Sequence, residues 1–239
     1  MMRVLVFQHH DEEGPGSFET ALREDGGTLD TVFFERRTAL PDFRRYDQLW
    51  IMGGVMDVWD VDEHPWLVDE KVAIRRWIAE RPDRPVFGLC LGNQLIADAL
   101  GGTCGPMKTA EIGMVDVALN DAARSDPLLS GLPSSFKTVQ AHGVRVAQLP
   151  DGAVSLASSA GCRHQAARYG DKVWGWQAHV EAQPDTITRW AELPDFCEWQ
   201  AAHQGEGALD AFIAEARSAM PEVLAVSAAM YRNLRGLGV

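Results

Sequence analysis

The chain has 239 residues, 46% of them hydrophobic and 23% charged. That is long enough for one large domain with a buried core, and too apolar for wholesale disorder. A formal net charge of −12 gives a surface that repels phosphate backbones, which counts against nucleic acid as a partner.

Residues 3–8 form a short β-branched and aromatic run that predicts a buried strand. The run is too short for a signal peptide, and no segment reaches the ~18 continuous apolar residues of a membrane span. A short helix is predicted over 17–24, with Phe18 and Leu22 on one face and Gly26-Gly27 ending it. Strands follow over 28–34 and 47–52, the second stopping at Gly53-Gly54. Residues 65–80 predict a helix: Pro65 suits its start, and Leu67, Ile74, Trp77 and Ile78 share a face. A strand over 85–89 runs into a helix over 91–100, ended by Gly101-Gly102.

This alternation predicts an α/β fold with a doubly wound, mostly parallel sheet flanked by helices. Beyond residue 112 the pattern changes to short strands and turns, with strands expected at 114–119, 144–148, 153–157, 165–168 and 173–177. Some extend the sheet and others form an antiparallel flap beside it. From residue 185 the chain reads as helical. The expected organisation is one α/β domain over 1–190 and a helical C-terminal extension over 191–239 packed on it.

The four cysteines, Cys90, Cys104, Cys162 and Cys197, make no CxxC pair, and no His/Cys cluster has zinc-ligand spacing. A chain of this size needs no disulfides, so a reducing, cytoplasmic setting is expected, without a metal. One cysteine stands apart. Gly88-Leu89-Cys90-Leu91-Gly92-Asn93-Gln94 runs from an apolar strand through Cys90 directly into a helix, with glycines two residues to either side. That is the layout of a nucleophile elbow with Cys in place of Ser. The glycines allow close backbone approach, the helix N-terminus favours the thiolate, and the N–H of Leu91 lies where an oxyanion would sit.

A thiol nucleophile needs an imidazole and a group to orient it. Among seven histidines, His9, His10 and His64 fall in polar loops, His203 in a polar helix, and His164 at the start of a strand. His179 follows the apolar run 173–177, and Glu181, two residues on in extended chain, faces the same way. Alone, His-x-Glu is a weak pattern; its force comes from the elbow.

These blocks resemble those of class I glutamine amidotransferases, especially stand-alone proteins similar to the amidotransferase domain of GMP synthase. Gly88 to Gln94 matches the nucleophile block Gly-x-Cys-x-Gly-x-Gln. Gly175 to Glu181 follows Gly-x-Gln-Phe-His-Pro-Glu, with Ala178 and Val180 in place of Phe and Pro. Gly53-Gly54 matches the family's Gly-Gly turn. The resemblance implies a flavodoxin-like fold, Cys90 as nucleophile, His179 as base and Glu181 as its orienter. It also implies oxyanion N–H groups from Gly54 and Leu91, and substrate contacts from Gln94 and from Gln140, His142, Gly143 and Val144. Loss of Phe and Pro beside the base is expected to open or reshape the approach to it, unless Trp174 or Trp176 fills the gap.

The function expected is cysteine-dependent hydrolysis or transfer at the γ-carboxamide of glutamine or a γ-glutamyl compound, through a γ-glutamyl thioester on Cys90. No cofactor is called for. The alternative is a glutaminase subunit that passes ammonia to a separate synthetase; the chain carries no GxxxxGK[ST] block of its own. A third reading, a binding module without catalysis, is opposed by the intact Cys90, His179 and Glu181.

Overall fold

In the computed structural model, which describes residues 1–238, one nine-stranded sheet runs in the order β2-β1-β3-β4-β9-β8-β7-β5-β6. The strands β1 (Arg3–Phe7), β2 (Thr28–Val32), β3 (Gln48–Ile51), β4 (Val86–Leu89) and β9 (Val173–Trp176) pair in parallel. β8 (Ala166–Gly170), β7 (Val154–Ser158), β5 (Thr103–Leu119) and β6 (Ser135–Gln148) continue the sheet in antiparallel pairing. The helices are α1 (Gly16–Glu24), α2 (Trp66–Glu80), α3 (Leu91–Ala99), α4 (Thr186–Trp190), α5 (Pro194–Gln204) and α6 (Ala208–Gly236).

The parallel strands are apolar on both faces because helices cover both. Val4, Val6, Trp50, Phe87 and Leu89 point one way, onto Phe18 and Leu22 of α1 and Val226, Met230 and Leu234 of α6. Their neighbours Leu5, Phe7, Leu49, Ile51 and Val86 point the other way, onto Leu67, Ile74 and Trp77 of α2 and Leu95 and Ile96 of α3. A third apolar cluster joins Ile112, Met114 and Val139 of the β5–β6 ribbon to Trp190, Phe212, Met220 and Val223. The C-terminal helices are thereby seated on the sheet; Val239, the last residue of the expected extension, lies outside the described residues.

The elements up to residue 100 fall within two residues of their expected bounds. The second half differs. Instead of short strands and a separate flap, β5 and β6 are long strands of the same sheet. The first half of β5 carries Pro106, Lys108 and Glu111 and is mostly not buried, so no apolar alternation marks it. Its register comes from β6, with Glu111 opposite His142 and Val117 opposite Phe136. No helix among the described residues is long and apolar enough to cross a membrane.

Candidate active site

β4 ends at Leu89 and α3 begins at Leu91, so Cys90 alone makes the turn. Its backbone sits at φ 49°, ψ −109°, a region that side chains other than glycine rarely adopt. Neighbouring backbone holds it there. The Cys90 N–H donates to the Trp176 carbonyl at 2.8 Å, and the Gly92 N–H to the Met52 carbonyl at 3.1 Å. A Cβ on Gly88 would come within 2.6 Å of the Gly92 backbone, and one on Gly92 would strike the Ile51 carbonyl, so the elbow closes only with glycine at both positions.

His179 lies three residues beyond β9. Its N–H donates to the Val139 carbonyl at 2.9 Å, an isolated bridge to β6. Its Nδ1 lies 2.8 Å from Glu181 Oε1. Trp190 from α4 meets the imidazole edge-on, with ring centroids 4.8 Å apart. Burial pushes the His179 pKa down. The charge of Glu181, the charge of Cys90 and hydrogen bonds with both outweigh burial and hold it well above the ordinary value. The arrangement favours an imidazolium between a carboxylate and a sulfur, the state from which a thiol–imidazole pair performs acyl transfer.

The remaining expected residues are placed as follows. Leu91 is the first residue of α3, where an N–H has no partner four residues back within the helix. Gly54 packs against it: a Cβ there would lie 2.7 Å from Leu91 Cδ2. Gln94 Nε2 donates to the Val144 carbonyl at 3.1 Å and to Gln177 Oε1 at 3.3 Å. Cys90, Leu91, Gln94, Val144, His179 and Glu181 therefore form one linked cluster with Gly54. Residues 140–144, the stretch implied to contact substrate, lie inside β6, which begins nine residues before the strand expected from 144. Gln140 donates to Thr138 Oγ1 and Gln165 Oε1, and His142 is engaged by the Val144 carbonyl at 2.9 Å and Glu111 Oε2 at 3.2 Å. Gly143 faces Trp199 of α5.

Ala178 and Val180 are both buried in the main core cluster with Trp174 and Trp176. They alternate with His179 and face away from it, so no gap opens at the base.

Sequence reasoning missed several residues that line this cluster. Gln177 Nε2 reaches to 3.8 Å from Cys90 Sγ. His9, expected in a polar loop, is only 4% exposed. Its Nδ1 lies 2.7 Å from the Gly53 carbonyl, and its Nε2 3.0 Å from both Glu70 oxygens. The signal was in α2: Glu70 stands on the stripe of Leu67, Ile74 and Trp77, and an acid on an apolar face requires a buried partner. Glu13, in the loop after β1, turns its carboxyl against Gly53 near His179, with a buried Oε2 that has no hydrogen-bond partner among the described residues. No group of His, Cys, Asp and Glu side chains with metal-binding arrangement occurs among the described residues.

An open α/β sheet with a buried cysteine on a strained strand-to-helix elbow, beside a His–Glu pair, defines a class of thiol-bearing α/β proteins. The profile described as "Glutamine amidotransferase class-I" matches residues 17–190. The chain is 31% identical over 190 residues to the putative glutamine amidotransferase-like protein YfeJ of Salmonella typhimurium, covering 78% of each. It is 33% identical over 203 residues to a glutamine-hydrolyzing GMP synthase subunit from Natronomonas pharaonis, covering 81% of this chain and 98% of that one. Against the longer glutamine-hydrolyzing GMP synthase of Lacticaseibacillus rhamnosus it spans 19% of that protein's length. A glutamine amidotransferase structure from Methylobacillus flagellatus superposes with TM-score 0.84 at 26% identity, over 99% of this chain and 95% of that one. The chain belongs to the class I glutamine amidotransferase family.

Proposed function

We propose that the chain cleaves the γ-carboxamide of glutamine, or of a γ-glutamyl compound, with Cys90, His179 and Glu181 as its catalytic triad. The Cys90 thiolate attacks the amide carbon and the carbonyl oxygen becomes an oxyanion, received by the N–H groups of Gly54 and Leu91. Collapse of the intermediate breaks the C–N bond as the His179 imidazolium gives its proton to the leaving amine. The γ-glutamyl thioester left on Cys90 is cleaved by water, whose proton returns to His179; with glutamine as substrate, glutamate and ammonia are the products. Glu181 keeps the imidazole in the required orientation throughout.

The observation that carries this reading is the pairing at His179, whose Nδ1 is fixed by Glu181 at 2.8 Å while both Glu181 and Cys90 favour the imidazolium. The test is glutamate release and γ-glutamyl hydroxamate formation by the purified chain, with Cys90→Ser as control. Activity in the native chain and none in the variant is expected; release that persists in the variant overturns the assignment.

A second reading is favoured by the GMP synthase subunit from Natronomonas pharaonis, which the chain matches over 98% of that protein's length. In that reading the ammonia passes to a separate synthetase. Glutamate release that rises several-fold when a synthetase partner is added separates it from free-standing hydrolysis.

A further inference from the structure

We propose that His9, held by Glu70, is the positioning residue that aims the Gly53–Gly54 peptide at the reacting carbonyl. The proposal rests on the reading in which the Gly54 N–H receives the oxyanion.

The Gly53 carbonyl and the Gly54 N–H are two ends of one planar unit. Every peptide bond among the described residues is trans, so the two groups point in opposite directions, and whatever fixes the carbonyl fixes the N–H. His9 Nδ1 lies 2.7 Å from that carbonyl. On its other side the ring is gripped by Glu70, with Nε2 3.0 Å from each carboxylate oxygen and both side chains fully buried. Trp66 lies stacked along the imidazole, with ring centroids 5.7 Å apart and planes at 18°. A Cβ on Gly54 would lie 3.0 Å from His9 Cβ and 2.7 Å from Leu91 Cδ2, so the peptide is wedged between His9 and the elbow.

The chemistry suits the role. A carbonyl oxygen and an ionised carboxylate only accept, so between Gly53 and Glu70 the ring donates from both nitrogens. Burial lowers the His9 pKa, but Glu70 and the Gly53 carbonyl outweigh it and raise it. A charged donor on the carbonyl draws electron density from the peptide and makes the Gly54 N–H a stronger donor. It also spares that peptide any reorientation as negative charge develops. Neither His9 nor Glu70 touches substrate in this arrangement; they act through Gly53.

The test compares two reactions of Cys90 in the full chain. Acylation by p-nitrophenyl acetate forms an S–C(O) bond, expels nitrophenolate and passes through an oxyanion. Alkylation by iodoacetamide forms an S–CH2 bond, expels iodide and makes no oxyanion. His9→Phe is expected to lower the acylation burst by about 10- to 100-fold, below the about 10²–10³ cost of deleting an oxyanion donor outright, with alkylation unchanged. His9→Asn, whose amide can reach the Gly53 carbonyl, restores most of the burst, and Glu70→Gln falls between. If His9→Phe does not fold, the Glu70→Gln to native ratio decides. An unchanged ratio in folded variants, an equal fall in both rates, or no Cys90-dependent burst in the native chain overturns the proposal. If the acylation contrast holds while the native chain releases no glutamate from glutamine, the substrate reading fails and the role of His9 stands.

Discussion

Trp190 presents its indole edge-on to the imidazole of His179, with ring centroids 4.8 Å apart and planes at 74°. The aromatic surface beside the base thus comes from α4, and not from position 178, where the family's motif carries a Phe. Ala178 faces the opposite way, into a core that also contains Phe136 and Trp176. Restoring Phe at position 178 is therefore expected to overpack the core and not to narrow the substrate range. Ala178→Phe should cost about 1–3 kcal/mol of stability, read by denaturant midpoint, with the ratio of kcat/KM for glutamine and a γ-glutamyl dipeptide unchanged. A shift in that ratio at undiminished stability would place residue 178 in the site.

Cys90 is expected to be the reactive thiol of the four. Burial pushes the Cys104 thiol up to about 12 and the Cys162 thiol up to about 11, which leaves both unreactive near neutrality. Brief treatment with iodoacetamide at neutral pH, followed by peptide mass spectrometry, should find the label on Cys90. Cys90→Ser should lower glutamate release by more than about 10³-fold with the thermal midpoint little changed. Label on Cys104, Cys162 or Cys197 at comparable rates would sink the assignment.

Glu181→Gln removes the largest influence that raises the His179 pKa. In the folded protein that pKa stands above its ordinary value of 6.5, so the stabilisation is fully present below about 6.5 and is lost as pH rises through the folded value. The variant should lack that pH-dependent contribution. The basic limb of its kcat/KM profile should move to lower pH, with kcat down by about 10-fold or more. An unmoved basic limb would mean that the carboxylate does not govern the imidazole.

The elbow was legible because its chemistry is local: strand, Gly88, Cys90, Gly92 and helix follow one another within a few residues, and steric necessity dictates the glycines. His179 and Glu181 were legible only through their motif, since the 2.9 Å bridge to Val139 that places the histidine comes from a distant strand. The β5–β6 ribbon was largely illegible, because its exposed half carries no apolar period and is held by cross-strand pairing. His9 does lie in the loop after β1, as expected; its burial was illegible because nothing near it in sequence marks its partner, Glu70 on α2.

The loop after β1 holds three consecutive acids. Asp11 pairs with Arg36 at 2.7 Å and Glu12 with Arg189 at 3.4 Å, whereas Glu13 turns inward, its Oε2 buried without a hydrogen-bond partner among the described residues. Burial raises its pKa above the ordinary 4.5, and the attraction of His179 and His9 does not offset that. A carboxyl raised in the folded state favours folding most when it is protonated. Its contribution is greatest below about 4.5 and declines as pH rises through the folded value. Glu13→Gln keeps the shape and removes the charge, so it should stabilise at neutral pH and be neutral in acid. The expected thermal midpoint is higher than native by about 2–4 °C at about pH 7, for roughly 1 kcal/mol recovered, and equal to native near about pH 4. A stability cost of this kind, set against Gly53 and the base, is characteristic of groups kept for function. Glutamate release by Glu13→Gln should accordingly fall even as stability rises. Equal midpoints at both pH values, or a gain in stability with full activity, would show that Glu13 is neither a burden on the fold nor of use to the site.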